Sequence, residues 1–145
     1  LVNRLAGVLE SQGKYEEAES TYRQILALNV KVFDDYRSSW TMILLAGVLA
    51  RQGKYSEAES VYRETIPLSE KHLGKGHPVG LLAKNGLAGV LDNQGKHDEA
   101  DLLYKETLQM AEEIHGKESG ITKDLVERQK KNRRHLDART NPSIT

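Results

Sequence analysis

The 145-residue sequence contains no cysteine, which excludes both a disulfide framework and a metal site built from thiolates. It also lacks net charge, because 21 acidic residues balance 21 basic ones, and this argues against a dedicated binder of nucleic acid or another polyanion. No stretch approaches the ~18 consecutive apolar residues of a membrane-spanning helix. The opening residues do not have the layout of a signal peptide. We therefore expect a cytoplasmic protein without a membrane segment and without a cofactor.

Residues with the spacing of an active site are equally scarce. The sequence has five histidines but no His-Glu-x-x-His pattern. His72 and His77 flank a glycine-rich turn and could hold a metal weakly, but no carboxylate or thiolate accompanies them. The Gly74-Lys75-Gly76 segment is too short for a phosphate-binding loop, which needs glycines and a Lys-Ser/Thr at fixed offsets. We predict no catalytic residue, no metal site and no enzymatic activity.

What the sequence does contain is a repeat. The segment LAGVLESQGKYEEAESTYRQIL returns as LAGVLARQGKYSEAESVYRETI and as LAGVLDNQGKHDEADLLYKETL. Leu5, Leu45 and Leu87 open the three copies, and the second interval is slightly longer than the first. A period of roughly 40 residues is typical of arrays in which each small unit buries its apolar face only against its neighbours.

Each copy has the pattern of two helices joined by a turn. Leu5, Val8 and Leu9 follow helical spacing, and Gly13 supplies the residue that can close the helix in a left-handed conformation. The stretch that follows carries an apolar stripe at spacings of three and four residues. Its members in the first copy are Tyr15, Ala18, Tyr22, Ile25 and Leu26. We predict an all-α, helix-turn-helix architecture without strands.

The order Leu-Ala, Gly-Lys-Tyr, Glu-Ala, Tyr and an apolar pair resembles the tetratricopeptide repeat, whose usual unit has about 34 residues. The longer period here, with the segment LGKGHP between units, is similar to the kinesin-light-chain type. It is also similar to the repeat regions of fungal nucleotide-binding, receptor-like proteins. The resemblance implies a right-handed α-solenoid that binds a protein or peptide on its concave face.

The same register divides the chain into units. Three tetratricopeptide units are expected over about residues 1–37, 38–77 and 78–116. Residues 117–139 are interpreted as a capping helix for the exposed end of the array, and residues 140–145 as a disordered tail. Because the sequence starts inside a helical pattern, we also expect a piece of a longer array.

The resemblance implies that the first helix of every unit lines the concave face. The candidate partner-binding residues are its non-core positions: Asn3, Gly7, Ile43, Gly47, Arg51, Asn85, Gly89 and Asn93. An asparagine amide can both donate to and accept from an extended peptide backbone. A solvated polar face without a ligand is the alternative. Arg51 is the only clear cation on these faces, so a peptide of mixed apolar and hydrogen-bonding character, or a folded protein, fits better than an acidic peptide.

Three of these candidates are glycines within a helix. Gly7, Gly47 and Gly89 each cost roughly 0.8–1.0 kcal/mol relative to alanine in a helix interior. Close approach of another helix or of a ligand backbone would explain them, and so would inheritance through duplication of one unit. We favour helix packing or inheritance over contact with a ligand.

The junction between the first two units concentrates aromatic residues. Phe33, Tyr36 and Trp40 lie here, and they include the chain's single phenylalanine and single tryptophan. They are interpreted as a plug in the core between the units, with an aromatic patch at the rim of the groove as the alternative. His97 stands where the other two units have tyrosine, and a partly buried core position is expected for it.

The segment Gly120 to Arg139 departs from the repeat and carries the chain's one marked basic run. Its cations are Arg128, Lys130, Lys131, Arg133 and Arg134. We interpret the run as the solvated face of the cap, because no aromatic residues are interleaved for stacking on bases. Binding of nucleic acid remains the alternative.

Two functions are therefore compatible with the sequence. The first is a protein-interaction module that binds a peptide or protein partner on the concave face. The second is a structural array that self-associates through its end repeats, or packs against a larger receptor-like protein, with no separate ligand.

Overall fold

The computed structural model describes residues 2–29 and 36–140, with side chains placed for residues 5–28 and 38–131. Within these ranges the chain forms seven α-helices and no strand. They are α1 (Val2–Ser11), α2 (Tyr15–Asn29), α3 (Tyr36–Arg51), α4 (Tyr55–Leu73), α5 (Pro78–Asn93), α6 (His97–His115) and α7 (Gly120–Thr140). Several predictions lie outside the described residues: those on the side chains of Asn3, Tyr36, Arg133 and Arg134, on Phe33, and on the conformation of residues 141–145.

The turn inside each unit depends on a glycine with positive φ. Gly13 has a φ of 78°, a backbone conformation that residues with a Cβ rarely adopt. It lets the chain reverse so that the amide of Lys14 donates to the carbonyl of Leu9 at 2.8 Å, which satisfies the end of α1. Gly53 and Gly95 repeat the turn with φ of 80° and 84°. The repeat of the sequence is therefore a repeat of backbone conformation.

The helices of a unit pack through an alanine followed by a tyrosine one helical turn later. The alanines are fully buried, which allows two helices to approach closely, and the tyrosine rings fill the space beside them. These residues are Ala18 and Tyr22, Ala58 and Tyr62, and Ala100 and Tyr104. They belong to one continuous hydrophobic cluster that runs from α1 to α6.

The units stack in chain order. Helix α2 packs against α3, α4 packs against both α3 and α5, and α6 packs against α5 and α7. The first helices also meet each other, because α3 contacts α5 and α5 contacts α7. This is the all-α solenoid of helix-turn-helix units that the sequence predicts. Helix α3 begins at Tyr36, slightly before the predicted boundary between the first two units.

Helix α7 occupies the place of a first helix in a fourth unit. The interval from Pro78 to Gly120 equals the interval from Leu45 to Leu87. The caps correspond as well, because His77 Nδ1 accepts from the amide of Val79 and Ser119 Oγ accepts from the amide of Thr122. Each cap satisfies an otherwise unpaired amide at a helix start.

The contacts of α7 explain how it covers the end of the array. Leu125 is fully buried and packs in a small cluster with Leu81 and Ala111. Gln129 Nε2 donates to the carbonyl of Tyr104 at 3.1 Å. The helix therefore closes the hydrophobic core of the third unit. No helix in the described part of the chain is long and apolar enough to cross a membrane.

Candidate functional site

Two adjoining clefts run across the face formed by the first helices. Their volumes are about 500 Å³ and about 270 Å³. The two clefts form one continuous surface, which we call the groove. Six residues line both clefts: Gly47, Arg51, Tyr62, Asn85, Gly86 and Arg128. Helices α1, α3, α5 and α7 all contribute to it, and α4 supplies Tyr62 from below.

The two halves of the groove differ in polarity. The residues that line only the smaller half are mostly apolar: Trp40, Ile43, Leu44 and Leu82, beside Glu10. The larger half is polar, and its additional residues are Ala50, Gly89, Val90, Asn93, Asp124, Glu127 and Lys131. A ligand that spans the groove would therefore meet apolar contacts at one end and charged or hydrogen-bonding groups at the other.

Asn85 is the most unusual residue of the groove. Its side chain lines both clefts, yet the residue is only 4% exposed. Its Oδ1 atom is buried and accepts no hydrogen bond within the described part of the chain. A buried acceptor in this condition costs the folded chain about 1–3 kcal/mol.

Charged residues surround this acceptor in opposite pairs. Arg51 Nη1 contacts the carboxylate of Glu10, which joins α3 to α1. Arg128 Nε donates to Asp124 Oδ2 at 2.9 Å within α7. The expectation that Arg51 is the only clear cation of the groove is wrong, because α7 adds Arg128 and Lys131. Glu10, Asp124 and Glu127 offset the added positive charge, so neither sign dominates the groove.

Tyr62 forms part of the floor of the groove beneath Asn85 and Gly86. Burial raises its pKa to about 12, although nearby Arg128 and Arg51 act in the opposite sense. Burial also raises the pKa of Tyr22 to about 12, with the Glu10 carboxylate adding to the effect. The hydroxyl of Tyr62 therefore stays protonated at neutral pH and can take part in hydrogen bonds.

The glycines of the groove have different roles from those expected. A Cβ on Gly86 would lie 2.4 Å from Tyr62 Cζ, so this glycine is required for α5 to pack over the tyrosine ring. A Cβ on Gly7 or Gly47 would meet nothing within 4 Å. Close helix packing is therefore the wrong explanation for Gly7 and Gly47, whose environments are open.

The other candidates are distributed as follows. Ile43, Gly47, Arg51, Asn85, Gly89 and Asn93 all line the groove. Asn93 already uses its amide, because Nδ2 donates to the carbonyl of Gly89 at 2.9 Å in its own helix. Gly7 lines neither cleft. The contribution of α7 is absent from the sequence-based prediction, although the interval between Pro78 and Gly120 could have revealed it.

Two further residues are placed by their contacts. Trp40 is only partly buried and lines the apolar half of the groove, as an aromatic residue at its rim would. This position favours the rim interpretation for Trp40, and the core plug that also involves Phe33 and Tyr36 stays a prediction. His97 is partly buried, as expected, and its Nδ1 contacts Asp92 Oδ1. Asp92 is only 8% exposed and lines neither cleft of the groove.

Away from the groove, a repeated network of ion pairs joins consecutive units. Glu19 accepts from Arg23 of its own helix at 3.1 Å and from Lys54 of the next unit at 3.0 Å. Arg23 also contacts Glu57 of the next unit at 3.4 Å. The same four positions recur one unit later as Glu59, Arg63, Lys96 and Glu99, with distances of 2.9, 3.5 and 3.2 Å.

The network changes the titration of its carboxylates. Burial raises the pKa of Glu19, but hydrogen bonds from Gln52, Lys54 and Arg23 outweigh this and hold it below the ordinary value. The hydrogen bond from Arg63 lowers the pKa of Glu59 in the same way. These carboxylates are charged at neutral pH and hold the outer edges of adjacent units together.

The described residues provide no group of three or more metal-binding side chains. What they do provide is an all-helical array of paired helices whose first helices line an open groove. That arrangement defines the chain as a helical-repeat protein.

Comparison with known proteins specifies the class. Models of the tetratricopeptide repeat match residues 1–71 and residues 81–119, and both are of the kinesin-light-chain-like type. The chain therefore belongs to the tetratricopeptide repeat family, whose members generally mediate protein–protein interactions. A search among curated proteins gives no match.

A solved structure supports the fold. The crystal structure of BtubC (BKLC) from P. vanneervenii matches with a TM-score of 0.75 and 21% sequence identity. The match covers 94% of this chain and 55% of that chain, so the present chain spans a little over half the length of its structural neighbour. At this level of identity the likeness concerns the fold alone.

Proposed function

We propose that the chain is a protein-interaction module that binds an extended peptide segment of a partner protein in the groove. The observation that carries the proposal is Asn85, a residue that lines both clefts and whose buried Oδ1 atom lacks a donor in the described residues. The amide N–H of a peptide backbone is the donor that every extended segment offers.

The surroundings of Asn85 define the chemistry of the ligand. Gly47 leaves open space on one side of the groove, which allows a main chain to approach α3 closely. Trp40 and Ile43 favour an apolar side chain at one end of the peptide. Lys131 and Glu127 favour polar side chains at the other end, without preference for one sign of charge. The ligand we infer is thus a peptide of mixed polarity rather than a strongly acidic one.

A peptide-library selection on the purified chain tests the proposal. Asn85→Leu removes the acceptor while keeping the number and branching of the side-chain heavy atoms. A selected peptide should bind this variant at least about tenfold more weakly, which corresponds to about 1.4 kcal/mol. The variant should unfold at no lower denaturant concentration, because the acceptor that it removes lacks a donor in the described residues of the free chain.

Gln94 provides a matched control. Its Oε1 atom is also buried without a hydrogen-bond partner in the described residues, but Gln94 lines neither cleft of the groove. Gln94→Met should leave peptide affinity unchanged. Equal losses in the two variants would contradict the assignment of Asn85, and a folded, monodisperse chain that selects no peptide would contradict peptide binding itself.

Three finer features remain part of this proposal. The first is a cytoplasmic location, and the second is membership of a larger receptor-like protein similar to the fungal nucleotide-binding type. The third is self-association through the end repeats, which is the alternative to binding a separate ligand. Sedimentation velocity over a range of concentrations separates the last of these, since a monomer at every concentration weakens self-association.

A further inference from the structure

Two apolar residues are exposed at the amino-terminal edge of the array. Leu5 is 56% exposed and Val8 is 50% exposed. Their counterparts in the second unit, Leu45 and Val48, are 3% and 0% exposed. Those in the third unit are 4% and 2% exposed. The same two positions are thus core in two units and surface in the first.

The difference arises from the helix that precedes each unit. Helix α3 packs against α2 of the unit before it, and α5 packs against α4. Leu45 and Val48 share one hydrophobic cluster with Tyr22 and Tyr62, the central aromatic residues of these preceding helices. For α1 the described residues contain no preceding helix. At the other two junctions this position is filled by the second helix of a repeat unit.

Charged residues at the same edge repeat this asymmetry. At the two internal junctions, a lysine and a glutamate of the later unit contact a Glu-x-x-x-Arg pair on the preceding second helix. In the first unit the corresponding residues are Lys14 and Glu17, both exposed. Neither forms an ion pair with the described residues. An occupying helix with a Glu-x-x-x-Arg pair would complete the network here as it does at the other two junctions.

We propose that Leu5, Val8, Lys14 and Glu17 form a docking face for one further tetratricopeptide unit stacked before the first, with its second helix seated on Leu5 and Val8. The docked helix carries an apolar stripe for these two residues. It also places a glutamate against Lys14 and an arginine against Glu17. This face is separate from the groove, so peptide binding and helix docking can be measured independently.

The first test offers the face a helix of the required type. A fluorescent peptide with the sequence of residues 55–73 carries Glu59 and Arg63 and is titrated with the full chain, with anisotropy as the signal. Saturable binding that falls at least about tenfold with Leu5→Glu supports the proposal. Because Leu5 is exposed, this substitution should leave the chain folded. Binding that Leu5→Glu does not change overturns the proposal.

A charge exchange tests the register of docking. Lys14→Glu should weaken binding of the same peptide, and a peptide carrying Glu59→Lys should restore it. Loss without restoration would overturn the proposed pairing of Lys14 with the glutamate of the docked helix.

A second measurement does not depend on whether an isolated peptide folds into a helix. A copy of residues 36–82 is joined before Leu1, which places the copied Leu45 as far before Leu5 as Leu45 lies before Leu87. The extended chain should unfold at a higher denaturant concentration than the same chain with Leu5→Glu and Val8→Glu. Identical midpoints would overturn the proposal. A Leu5-dependent dimer of the original chain in sedimentation would also overturn it, in favour of a second copy as the occupant.

Discussion

The glycines of the first helices fall into two kinds. At Gly86 an added methyl group would collide with a neighbouring side chain, and at Gly47 it would meet open space. Gly86→Ala would place a Cβ against the ring of Tyr62, so we expect a loss of about 1–3 kcal/mol in the free energy of unfolding. Gly47→Ala meets open space, so it should raise this free energy by roughly 0.8–1.0 kcal/mol through helix propensity. Denaturant unfolding of the two variants measures both values.

Each glycine variant is the control for the other, because both substitutions lie in the interior of a first helix. A stabilised Gly86→Ala variant would show that α5 and Tyr62 can separate without cost. Gly47→Ala has a further use, because it should weaken binding of any ligand whose backbone approaches α3 while it strengthens the fold. Stability and affinity moving in opposite directions would therefore locate the ligand in the groove.

The buried tyrosines make stability depend on pH in the alkaline range. Tyr22 and Tyr62 have a folded pKa of about 12, compared with an ordinary pKa of 10.0 in the unfolded chain. The unfolded chain therefore releases these protons first, and the free energy of unfolding falls as pH rises from about 10 to about 12. For Tyr62 this loss amounts to roughly 2–3 kcal/mol.

Phenylalanine variants measure this contribution. The free energy of unfolding of Tyr62→Phe, followed by urea denaturation from about pH 8 to about pH 11.5, should decline less steeply than that of the wild type. Comparing slopes cancels the constant effect of losing the hydroxyl group. Parallel curves for the variant and the wild type would show that the hydroxyl of Tyr62 ionises as easily in the folded chain as in the unfolded one.

At the scale of the element, the second helix of a unit has two roles. Its apolar stripe fills the core, and its Glu-x-x-x-Arg pair reaches the lysine and glutamate of the next unit. Glu59→Gln removes the central carboxylate of the second network, and we expect it to cost about 0.5–1 kcal/mol at neutral pH, because Arg63 and Lys96 are half exposed. Thermal or denaturant unfolding gives the value.

The pH dependence of this effect follows from the lowered pKa of Glu59. The carboxylate stabilises the fold above its unfolded pKa of 4.5, and this contribution is lost as pH falls through the lower folded value. The difference between the variant and the wild type should therefore shrink at about pH 3. Glu118→Gln is the control, since the side chain of Glu118 is 90% exposed and contacts Lys123 nearby. A loss of the same size in both variants would assign the effect to general charge rather than to the network.

Considered as a whole, the molecule is predictable from its sequence where the signals are local. Apolar spacing within single helices and the glycine at each turn determine the paired helices, so three units follow from periodicity alone. The sequence predicts α7 as a cap with a solvated basic face, because Ile121, Leu125 and Val126 are followed by a largely polar stretch. The position of α7 within the repeat pattern can be recognised only from the residues before it. Gly116 corresponds to Gly74 and Ser119 to His77, at the same interval that separates Leu87 from Leu45.

The candidate site is less predictable because it depends on contacts between distant segments. The resemblance places Asn85 on the groove face, but its burial results from the packing of α4 and α7 around α5. The charge of the groove is predicted incompletely for the same reason, since Arg128 joins it only when α7 is placed as a first helix. Residue type can be read along the chain, whereas burial and charge balance require the assembled array.

The assembled array also determines how far the destabilising effect of a substitution extends along the chain. In a solenoid each unit contacts only its neighbours, so a defect at one end should stay near that end. Leu125→Ala leaves a cavity at a fully buried position on the inner face of α7. It should lower the local free energy of unfolding by about 2–5 kcal/mol. Amide hydrogen exchange should then accelerate most in α7, α6 and α5, less in α4 and α3, and least in α1 and α2. Leu5→Ala at the opposite, exposed edge should leave exchange in α6 and α7 unchanged. Uniform acceleration along the chain after Leu125→Ala would instead show that the units unfold as a single cooperative body, and that stacking couples the two ends of the groove.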